Sequence, residues 1–339
     1  MREDLGPCLL SHLRAALRCP RADFAEPLQP LSGGFDTAIF AFRLRGVMPA
    51  LCGPLVLRVL GPHHDPVRAL RERAIQNALA NMGFPAPRAP LASADTEILG
   101  GAFVVMERRP GRPLLAARPL SMATLLVETH LRLHALDPDV LLESVEREVP
   151  GSRAALSLDG HFDQLGARIE RRGLDGLAPA MRWLRDHRPP VERRAICHGD
   201  FHPQNLLADG RAITAVLDWP NSLVADPAYD VASTRVILGL TPLNILPVSR
   251  SLRLVLSVGR RLLLVRYLRG YGRRRRLAPR ALAYYEALAC MRGMVRAAES
   301  RAGGRGPASP LDASGFGDAL AARFAALTGV RAGLEGRRG

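Results

Sequence analysis

Two periods of hydrophobic and polar residues occur along the chain, and they predict different elements. Apolar residues recur at helical spacing within residues 1–20 and again at 69–82, so each of these segments predicts an amphipathic helix. Short β-rich apolar runs at 37–44, 55–60 and 102–107 are bounded by polar residues, Gly or Pro, and they predict strands. The first third of the chain therefore combines several strands with two helices.

The pattern changes near residue 108. The segment 108–113 combines Arg, Pro and Gly and is interpreted as a linker, and helical periodicity dominates from Ser121 onward. One strand–turn–strand segment interrupts the helical pattern at 195–218. This division predicts an α+β fold with a small sheet-containing lobe and a large, mostly helical lobe. The predicted parts are an N-terminal helix at 1–20, an N-lobe at 21–107, a C-lobe at 108–330 and a flexible tail at 331–339.

Charge is the most unusual feature of the composition. The 339 residues carry a net charge of +15, and all 47 basic residues are arginine because the sequence contains no lysine. Such a basic chain suggests a nucleic acid or an anionic membrane as a partner. The chain is also rich in Ala, Gly, Pro and Leu, and GC-rich codons would produce the same bias without selection for a polyanion. We therefore do not favour nucleic-acid binding.

Four consecutive arginines at 273–276 lie between two predicted helices. The run has no interleaved aromatic residues of the kind that stack on bases. We interpret it as a solvated basic turn, with an anionic partner such as a phospholipid surface or RNA as the alternative.

The sequence also bears on location. Arginines interrupt the most apolar late stretch, 252–268, so no transmembrane segment is predicted. The first 20 residues lack a long apolar region, so no signal peptide is expected. Five widely spaced cysteines without a C-x-x-C pair fit a reducing environment. Together these features predict a cytoplasmic protein.

The strongest chemical signal is a set of three polar residues near the strand–turn–strand segment. Asp200 is followed five positions later by Asn205 and thirteen positions after that by Asp218. Phosphoryl transfer needs an oxygen base or positioner beside the acceptor hydroxyl, and Asp200 can supply it. The reaction also needs hard oxygen ligands that hold Mg²⁺ on the phosphates, and Asn205 and Asp218 can supply those. Asp218 follows an apolar strand at 213–217, which would fix the position of its carboxylate.

These residues belong to a longer motif, H-G-D-x-x-x-x-N at 198–205, which precedes Asp218 and the sequence Asp-Pro-Ala-Tyr-Asp at 226–230. The motif resembles the catalytic loop and metal-binding strand of the aminoglycoside phosphotransferase family, which also includes kinases of choline-like and macrolide hydroxyl compounds. The resemblance implies a protein-kinase-like two-lobed fold, ATP or GTP as the phosphoryl donor, and Mg²⁺. It also implies that His198 and Asp230 support the catalytic loop.

The resemblance extends to nucleotide-binding residues of the N-lobe. Gly33 and Gly34 precede a predicted strand and resemble the loop that approaches the phosphates, although a Gly-Gly pair beside a strand is also typical of a hairpin turn. Arg58 stands where the family has a phosphate-binding lysine, with an exposed strand arginine as the alternative. Glu72 resembles the helix glutamate that pairs with that basic residue, or else lies on a solvated helix face. Glu107 resembles the start of the hinge that receives the nucleotide base.

Two other functions stay open at this point. A protein kinase is disfavoured, because Asp218 is followed by Trp-Pro rather than Phe-Gly and no Ala-Pro-Glu segment is recognised. A non-catalytic nucleotide- or anion-binding scaffold is disfavoured by the intact Asp200, Asn205 and Asp218. The arginine at position 58 favours it mildly.

The acceptor is predicted to be a small hydroxylated molecule that is neutral or anionic. Between Ser249 and Arg301, Glu286 and Glu299 are the only acidic residues, whereas arginines are numerous. A polycationic acceptor would meet like charge on such a surface. The sequence leaves the identity of the acceptor, the choice between ATP and GTP, and the oligomeric state open.

Overall fold

The structure is a computed structural model that describes most of the chain. The described residues are 5–31, 37–116, 119–243, 249–303 and 315–334. They form two compact units, each assembled from separate segments of the sequence. Unit 1 comprises Met1–Pro113, Asp139–Arg153 and Leu206–Pro220, as far as these are described. Unit 2 comprises Leu114–Pro138, Ala154–Asn205 and Asn221–Gly339 with the same restriction.

Strands and helices alternate early in the chain, and helices dominate afterwards. In chain order, the strands are β1 (Asp23–Pro30), β2 (Thr37–Arg45), β3 (Pro54–Leu60), β4 (Leu91–Ser93), β5 (Phe103–Glu107), β6 (Arg112–Pro113), β7 (Ala195–Cys197), β8 (Leu206–Ala208), β9 (Ile213–Val216) and β10 (Leu223–Ala225). The helices are α1 (Leu5–Ala16), α2 (Val67–Asn81), α3 (Thr96–Leu99), α4 (Pro119–Leu133), α5 (Pro138–Glu148), α6 (Ser152–Ala155), α7 (Leu158–Arg171), α8 (Ala178–Asp186), α9 (Pro227–Leu240), α10 (Arg250–Arg274), α11 (Pro279–Gly303) and α12 (Phe316–Thr328).

An antiparallel five-stranded sheet forms the main layer of unit 1. Its strand order is β1-β2-β3-β5-β4, so β3 lies in the middle. Arg58 on β3 is paired with Ile39 on β2 and with Val104 on β5. The three predicted strands correspond to β2, β3 and β5, and the helix predicted at 69–82 corresponds to α2. The predicted α+β class, with a small antiparallel sheet and a mostly helical remainder, is confirmed.

The N-terminal helix is part of the core of unit 1. Leu5, Leu9 and Leu13 recur at intervals of four residues on α1, and all three are buried. They pack in one cluster with Phe42 and Phe103 of the sheet. Sequence periodicity predicted this helix as a part separate from the N-lobe. The structure places it in unit 1, because the sheet covers its apolar stripe.

Unit 1 also contains segments that the sequence assigned to the C-lobe. β8 and β9 form a hairpin, and β6 pairs with β8 in the same three-stranded sheet. The predicted linker at 108–113 therefore includes a strand. Arg73 on α2 lies 2.8 Å from Glu148 at the end of α5, which ties a further segment to unit 1. The single boundary predicted near residue 108 thus differs from the observed division, because two later segments return to the sheet-containing unit.

Helices enclose the core of unit 2. α9 and α12 pack against α11, and β7 and β10 pair antiparallel beside α9. Tyr229 on α9 and Tyr285 on α11 are fully buried, with ring centroids 5.9 Å apart. Leu334 is buried in the same cluster, so the described part of the predicted flexible tail is packed against the core. Residues 335–339 of that tail lie outside the described residues.

The two longest described helices are α10 and α11, with 25 residues each. Within the described part of the chain, neither of these nor any other helix combines the length and the apolar character needed to cross a membrane.

Candidate active site

The first group of candidate residues lies in a loop of unit 2. β7 ends at Cys197, and the predicted catalytic loop then runs from His198 to Asn205. Asp230, in the first turn of α9, binds the start of this loop. Its Oδ2 accepts the backbone N–H of His198 at 2.7 Å, and its Oδ1 accepts that of Gly199 at 2.8 Å. The carboxylate of Asp230 therefore holds the loop by its backbone N–H groups.

Two buried histidines complete the surroundings of Asp230. Nε2 of His130 lies 3.0 Å from Oδ2 of Asp230, and Nε2 of His134 lies 3.3 Å from the same atom. The other ring nitrogen of each histidine lies 2.7 Å from a hydroxyl, that of Tyr267 for His130 and that of Tyr271 for His134. Burial opposes ionisation of Asp230, but His130 and His134 hold the pKa of its carboxyl well below the usual range. Burial, reinforced by His130, lowers the pKa of His134 to about 4.

The ligand atoms of His130, His134 and Asp230 all lie within 4.8 Å of one another, a spacing that a metal ion would also need. Both oxygens of Asp230 already accept backbone N–H groups, however, and both histidines contact a tyrosine hydroxyl. A buried hydrogen-bond network therefore accounts for this spacing.

Gly199 gives the loop a shape that a larger residue would disturb. Its φ is +77°, and a Cβ at this position would lie 2.4 Å from the carbonyl oxygen of Asn221. Arg292 on α11 donates from Nη1 to the carbonyl oxygen of Gly199 at 2.9 Å, and its guanidinium lies 5.5 Å from the ring centroid of Tyr229. The backbone of the loop is thus held at both its N–H and its carbonyl groups.

Asp200 and Asn205, predicted as the base and as a metal ligand, are in direct contact. Nδ2 of Asn205 donates to Oδ2 of Asp200 at 3.2 Å and to the backbone carbonyl oxygen of Asp200 at 3.0 Å. Nε2 of His202 lies 3.5 Å from the same Oδ2, and 30% of the Asp200 side chain is exposed. Burial would raise the pKa of Asp200, but His202, with a further contribution from His198, lowers it to about 2. The carboxylate is therefore ionised at neutral pH.

The second group of candidate residues lies in unit 1 and centres on Arg58. Nη1 of Arg58 is 2.9 Å from Oε1 of Glu72 on α2 and 2.8 Å from Oδ1 of Asp218, which follows β9. The structure thus brings together three residues that are distant in the sequence. The side chain of Arg58 is 16% exposed and that of Glu72 is fully buried. The alternatives of an exposed strand arginine and a solvated helix glutamate are therefore wrong.

Electrostatics bind this cluster together. Burial opposes the charge on Arg58, but Glu72 and Asp218 outweigh burial and raise the pKa of the guanidinium above its usual range. Burial raises the pKa of Glu72, an effect that Arg58 opposes. Among the described residues, Nε of Arg58 and Oε2 of Glu72 are buried without a hydrogen-bond partner. The cluster therefore has unused capacity for polar contacts.

Asp218 has an uncommon backbone conformation. Its φ is +67°, in the left-handed region that residues other than glycine seldom adopt. The neighbouring Trp219 is fully buried, donates from Nε1 to the carbonyl oxygen of Val216 at 2.8 Å, and packs edge-on against Phe84. Strain of this kind costs about 1–3 kcal/mol and persists only where the surroundings impose it. The buried tryptophan supplies that constraint.

The remaining predicted nucleotide contacts are described only in part. Glu107, at the end of β5, donates its backbone N–H to the carbonyl oxygen of Arg88 at 2.8 Å, and its Oε2 accepts the backbone N–H of Arg88 at 3.3 Å. A nucleotide base would therefore have to bind other backbone groups of this segment. Gly33 and Gly34 lie outside the described residues.

Sequence reasoning missed the histidine pair beneath the catalytic loop. His130 and His134 are four residues apart on α4, so they lie on one face of the helix. Their partners Tyr267 and Tyr271 repeat the same interval on α10. Polar aromatic residues at this spacing within apolar surroundings were an available signal. The sequence around Arg292 contained no comparable signal.

Comparison with known proteins places these observations in a family. A sequence profile of the Phosphotransferase enzyme family (APH) matches residues 27–285. Acyl-CoA dehydrogenase family member 11 of Gallus gallus is 31% identical over 189 residues, which are 52% of this chain and 24% of that protein. The chain thus matches about a quarter of the length of this curated relative.

Solved structures agree on the fold. A thermostable mutant of aminoglycoside phosphotransferase APH(4)-Ia, in a ternary complex with ADP and hygromycin B, is 18% identical with a TM-score of 0.57, over 94% of this chain and 97% of that chain. The ethanolamine kinase of Plasmodium vivax is 14% identical with a TM-score of 0.54, over 88% and 82% of the two chains. These similarities show a kinase-like fold, and because the profile covers most of the sequence, the chain belongs to the phosphotransferase enzyme family.

Proposed function

We propose that the protein transfers the γ-phosphoryl group of ATP or GTP to a hydroxyl group of a small molecule. Membership of the phosphotransferase family supports phosphoryl transfer in general. The contact between Asp200 and Asn205 carries the specific proposal, because it fixes an ionised carboxylate that is still partly exposed. Such a carboxylate can accept a hydrogen bond from an acceptor hydroxyl and direct its oxygen toward phosphorus.

The low pKa of Asp200 suggests how this residue acts. A carboxyl with a pKa of about 2 is a weak base toward a free alcohol. Phosphoryl transfer passes through a loose transition state with little early demand for a base, so orientation contributes more than proton abstraction. In the proposed mechanism Asp200 orients the acceptor hydroxyl and receives its proton late, as the new O–P bond forms.

Asn205 and Asp218 are the proposed Mg²⁺ ligands. Both hydrogen bonds given above for the Asn205 side chain use Nδ2, so its Oδ1 can still act as an oxygen ligand. The Asp218 side chain is 36% exposed. Carboxylate and amide oxygens are suitable ligands for a hard cation, and bound Mg²⁺ would neutralise charge on the nucleotide phosphates. His198 and Asp230 are proposed to support the loop rather than to react.

Arg58 is the proposed phosphate-binding residue, and Glu72 is proposed to orient it. The unpartnered Nε of Arg58 and its permanent charge support this role, since a guanidinium can bind phosphate through two nitrogens. Gly33, Gly34 and the hinge that begins at Glu107 complete the proposed nucleotide contacts.

A neutral or anionic acceptor is proposed, because the two acidic residues between Ser249 and Arg301 are already paired. Glu286 lies 2.7 Å from Arg323 and 3.3 Å from Arg235. Glu299 binds Arg168 through both carboxylate oxygens, at 2.6 and 2.9 Å. These carboxylates are neutralised within the unit, so they are poorly placed to bind the amines of a polycationic acceptor.

Asp200→Asn tests the catalytic role. The variant should fold normally and bind nucleotide, while kcat falls by about 10²- to 10⁴-fold because the positioned carboxylate is lost. Asp209→Asn is the matched control, because Asp209 accepts only local turn N–H groups in the contacts described. If Asp200→Asn matched the control in turnover with every acceptor in a panel of hydroxylated small molecules, the assignment of Asp200 would be wrong. Nucleotide binding without phosphoryl transfer to any acceptor would instead indicate a non-catalytic scaffold.

Asp218→Ala tests the metal role. Titration calorimetry with Mg-ATP and Mg-GTP should show weaker binding than in wild type, because the cation loses an anionic ligand. Unchanged affinity for both nucleotides would remove Asp218 from the proposed site.

Steady-state assays with different acceptors test the charge preference. Neutral or acidic hydroxylated acceptors should give higher kcat/KM than a tri- or tetracationic aminoglycoside. Efficient phosphorylation of the polycation at physiological salt would contradict this part of the proposal.

A further inference from the structure

α10 exposes an apolar ridge to solvent. The ridge consists of Leu254, Val255, Val258, Leu262 and Val265, whose exposed fractions lie between 41% and 69%. Most of these residues are three or four positions apart, so they line one side of the helix. Leu252 and Leu256, in the first half of α10, are also exposed, at 44% and 37%. The other large apolar side chains exposed in the described residues are scattered outside α10, and single ones of this kind are common on protein surfaces.

The ridge lies opposite the packed side of α10. Leu263, Tyr267 and Tyr271 are buried and repeat every four residues, about half a turn away from Leu254, Val258 and Leu262. From Leu263 onward the helix therefore has two apolar sides, one in the core of unit 2 and one in contact with solvent. Core packing explains the first side only.

Charge indicates what kind of partner would cover the second side. α10 carries eight arginines and no acidic residue. Arg261 and Arg269 are spaced three or four positions from ridge residues, so they lie on the same side. Two copies of α10 packed ridge to ridge would bring these like charges together at low dielectric. The partner that fits both features has an apolar layer with anionic groups at its edge.

A recess beside the ridge adds a place for an anionic group. Its volume is about 390 Å³, and Arg250, Arg253 and Arg260 line it together with Leu243 and Leu254. Among the described residues, Nε of Arg253 is buried without a hydrogen-bond partner. Several guanidinium groups without a carboxylate in the lining suit a phosphate. Leu254 belongs to both the recess and the ridge, so a single amphiphile could contact both.

We propose that α10 docks the protein on the surface of a membrane rich in anionic phospholipids. The ridge enters the boundary between headgroups and acyl chains, and Arg261 and Arg269 contact headgroup phosphates beside it. The recess binds the phosphate of one lipid. The helix lies in the plane of the interface, because its arginines would be costly at the centre of the bilayer.

Co-sedimentation with lipid vesicles tests the proposal. Wild type should bind vesicles that contain phosphatidylglycerol and should bind vesicles of phosphatidylcholine much more weakly. Leu254→Ser combined with Val258→Ser should lower partitioning at least about tenfold, because two large apolar side chains no longer enter the interface. Val140→Ser combined with Val191→Ser is the matched control, since both valines are exposed outside α10. This control should bind like wild type.

Charge variants separate attraction from insertion. Arg261→Gln combined with Arg269→Gln should lower partitioning by about fivefold per arginine, and less at high salt. Arg171→Gln combined with Arg172→Gln, at the exposed end of α7, is the control with the same change in net charge. Equal losses in both pairs would attribute binding to overall charge and would overturn the proposal.

Two further results would also overturn it. One is vesicle binding that is unaffected by the ridge variants. The other is a dimer in analytical ultracentrifugation that the ridge variants dissociate, since the ridge would then bind a second copy. Thermal unfolding midpoints close to that of wild type would establish that the variants fold. The proposal does not depend on the proposed phosphotransferase reaction, so turnover by the ridge variants in solution should equal that of wild type.

Discussion

Two carboxylates, Asp230 in unit 2 and Asp218 in unit 1, are both held by polar partners, but the partners differ in number and in kind. Asp230 is fully buried and accepts backbone N–H groups of the catalytic loop, with two buried histidines against it. Asp218 is partly exposed and forms an ion pair with Arg58. The first arrangement fixes the backbone of a loop. The second connects side chains that can exchange one charged partner for another.

This difference indicates a division of work. Removal of a buried acceptor leaves backbone donors without partners, so the Asp230 network should determine stability and loop shape. The Asp218 carboxylate is partly exposed, so its ion pair with Arg58 contributes less to stability and its charge is available to a ligand. We therefore expect changes around Asp230 to act mainly on folding. A change of Arg58 should act on nucleotide binding and also on stability, because it leaves the buried Glu72 without its cationic partner.

The largest expected effect is that of Asp230→Ala. Loss of the buried carboxylate should lower the free energy of unfolding by about 3–5 kcal/mol, because two backbone N–H groups and two histidines lose their common partner. Asp226→Ala on the same helix is the matched control. Asp226 is also buried but caps α9 through the N–H of Ala228 at 2.8 Å, so its loss should cost about 1 kcal/mol. Urea unfolding of both variants measures the difference. An equal loss of unfolding free energy in both would mean that Asp230 contributes no more to stability than a helix cap.

The next effect is the pH dependence of stability. The pKa of His134 falls from 6.5 to about 4 on folding, so the unfolded chain binds a proton that the folded protein excludes between these values. The contribution of His134 to the free energy of unfolding should therefore be fully present above pH 6.5. It should be lost as the pH falls toward 4, by about 3 kcal/mol in total. His134→Gln should flatten this decline, whereas His187→Gln at an exposed helix end should not. Urea unfolding at several pH values between 4 and 7 gives the comparison, and parallel profiles for wild type and His134→Gln would contradict it.

A smaller effect distinguishes close packing from backbone strain alone. Gly199 and Gly210 both have positive φ, +77° and +95°. A Cβ at Gly199 would lie 2.4 Å from the carbonyl oxygen of Asn221, whereas a Cβ at Gly210 would have no atom within 4 Å. Gly210→Ala should cost about 1–2 kcal/mol from the left-handed conformation. Gly199→Ala should cost more and should also reduce kcat, since the loop must shift. A thermal unfolding series that gives equal costs would mean that the loop relaxes easily.

The smallest expected effect concerns the ion-pair cluster of unit 1. Arg58→Ala should raise the KM for nucleotide by about tenfold or more through the loss of charge-assisted hydrogen bonds. Arg43→Ala is the control, because Arg43 lies on the neighbouring strand with an exposed side chain and a 3.6 Å contact to Glu26. Its KM should stay near that of wild type. Steady-state kinetics with varied nucleotide concentration decide the matter, and similar KM values for both variants would rule out phosphate binding by Arg58.

The sequence predicted the elements whose signals are local. The strands around Arg58 and the helix α2 followed from short apolar runs and helical periodicity, because burial of one face imposes these periods on the residues. The spacing of Asp200, Asn205 and Asp218 was sufficient to suggest a phosphotransferase, and the family match agrees with that suggestion. The division of the chain was less predictable, because composition near residue 108 gives no sign that β8 and β9 return to the sheet unit.

The sequence by itself thus determined the order of the elements, the spacing of the polar residues in the catalytic loop, and the family. Only the tertiary structure decided which distant side chains meet. The approach of His130 and His134 to Asp230, and the ion pairs of Arg58 with Glu72 and Asp218, join residues from separate helices and strands. The physical reason is that periodicity records which side of an element is buried, whereas the partner of a buried polar group is chosen when the elements pack and each donor must find an acceptor.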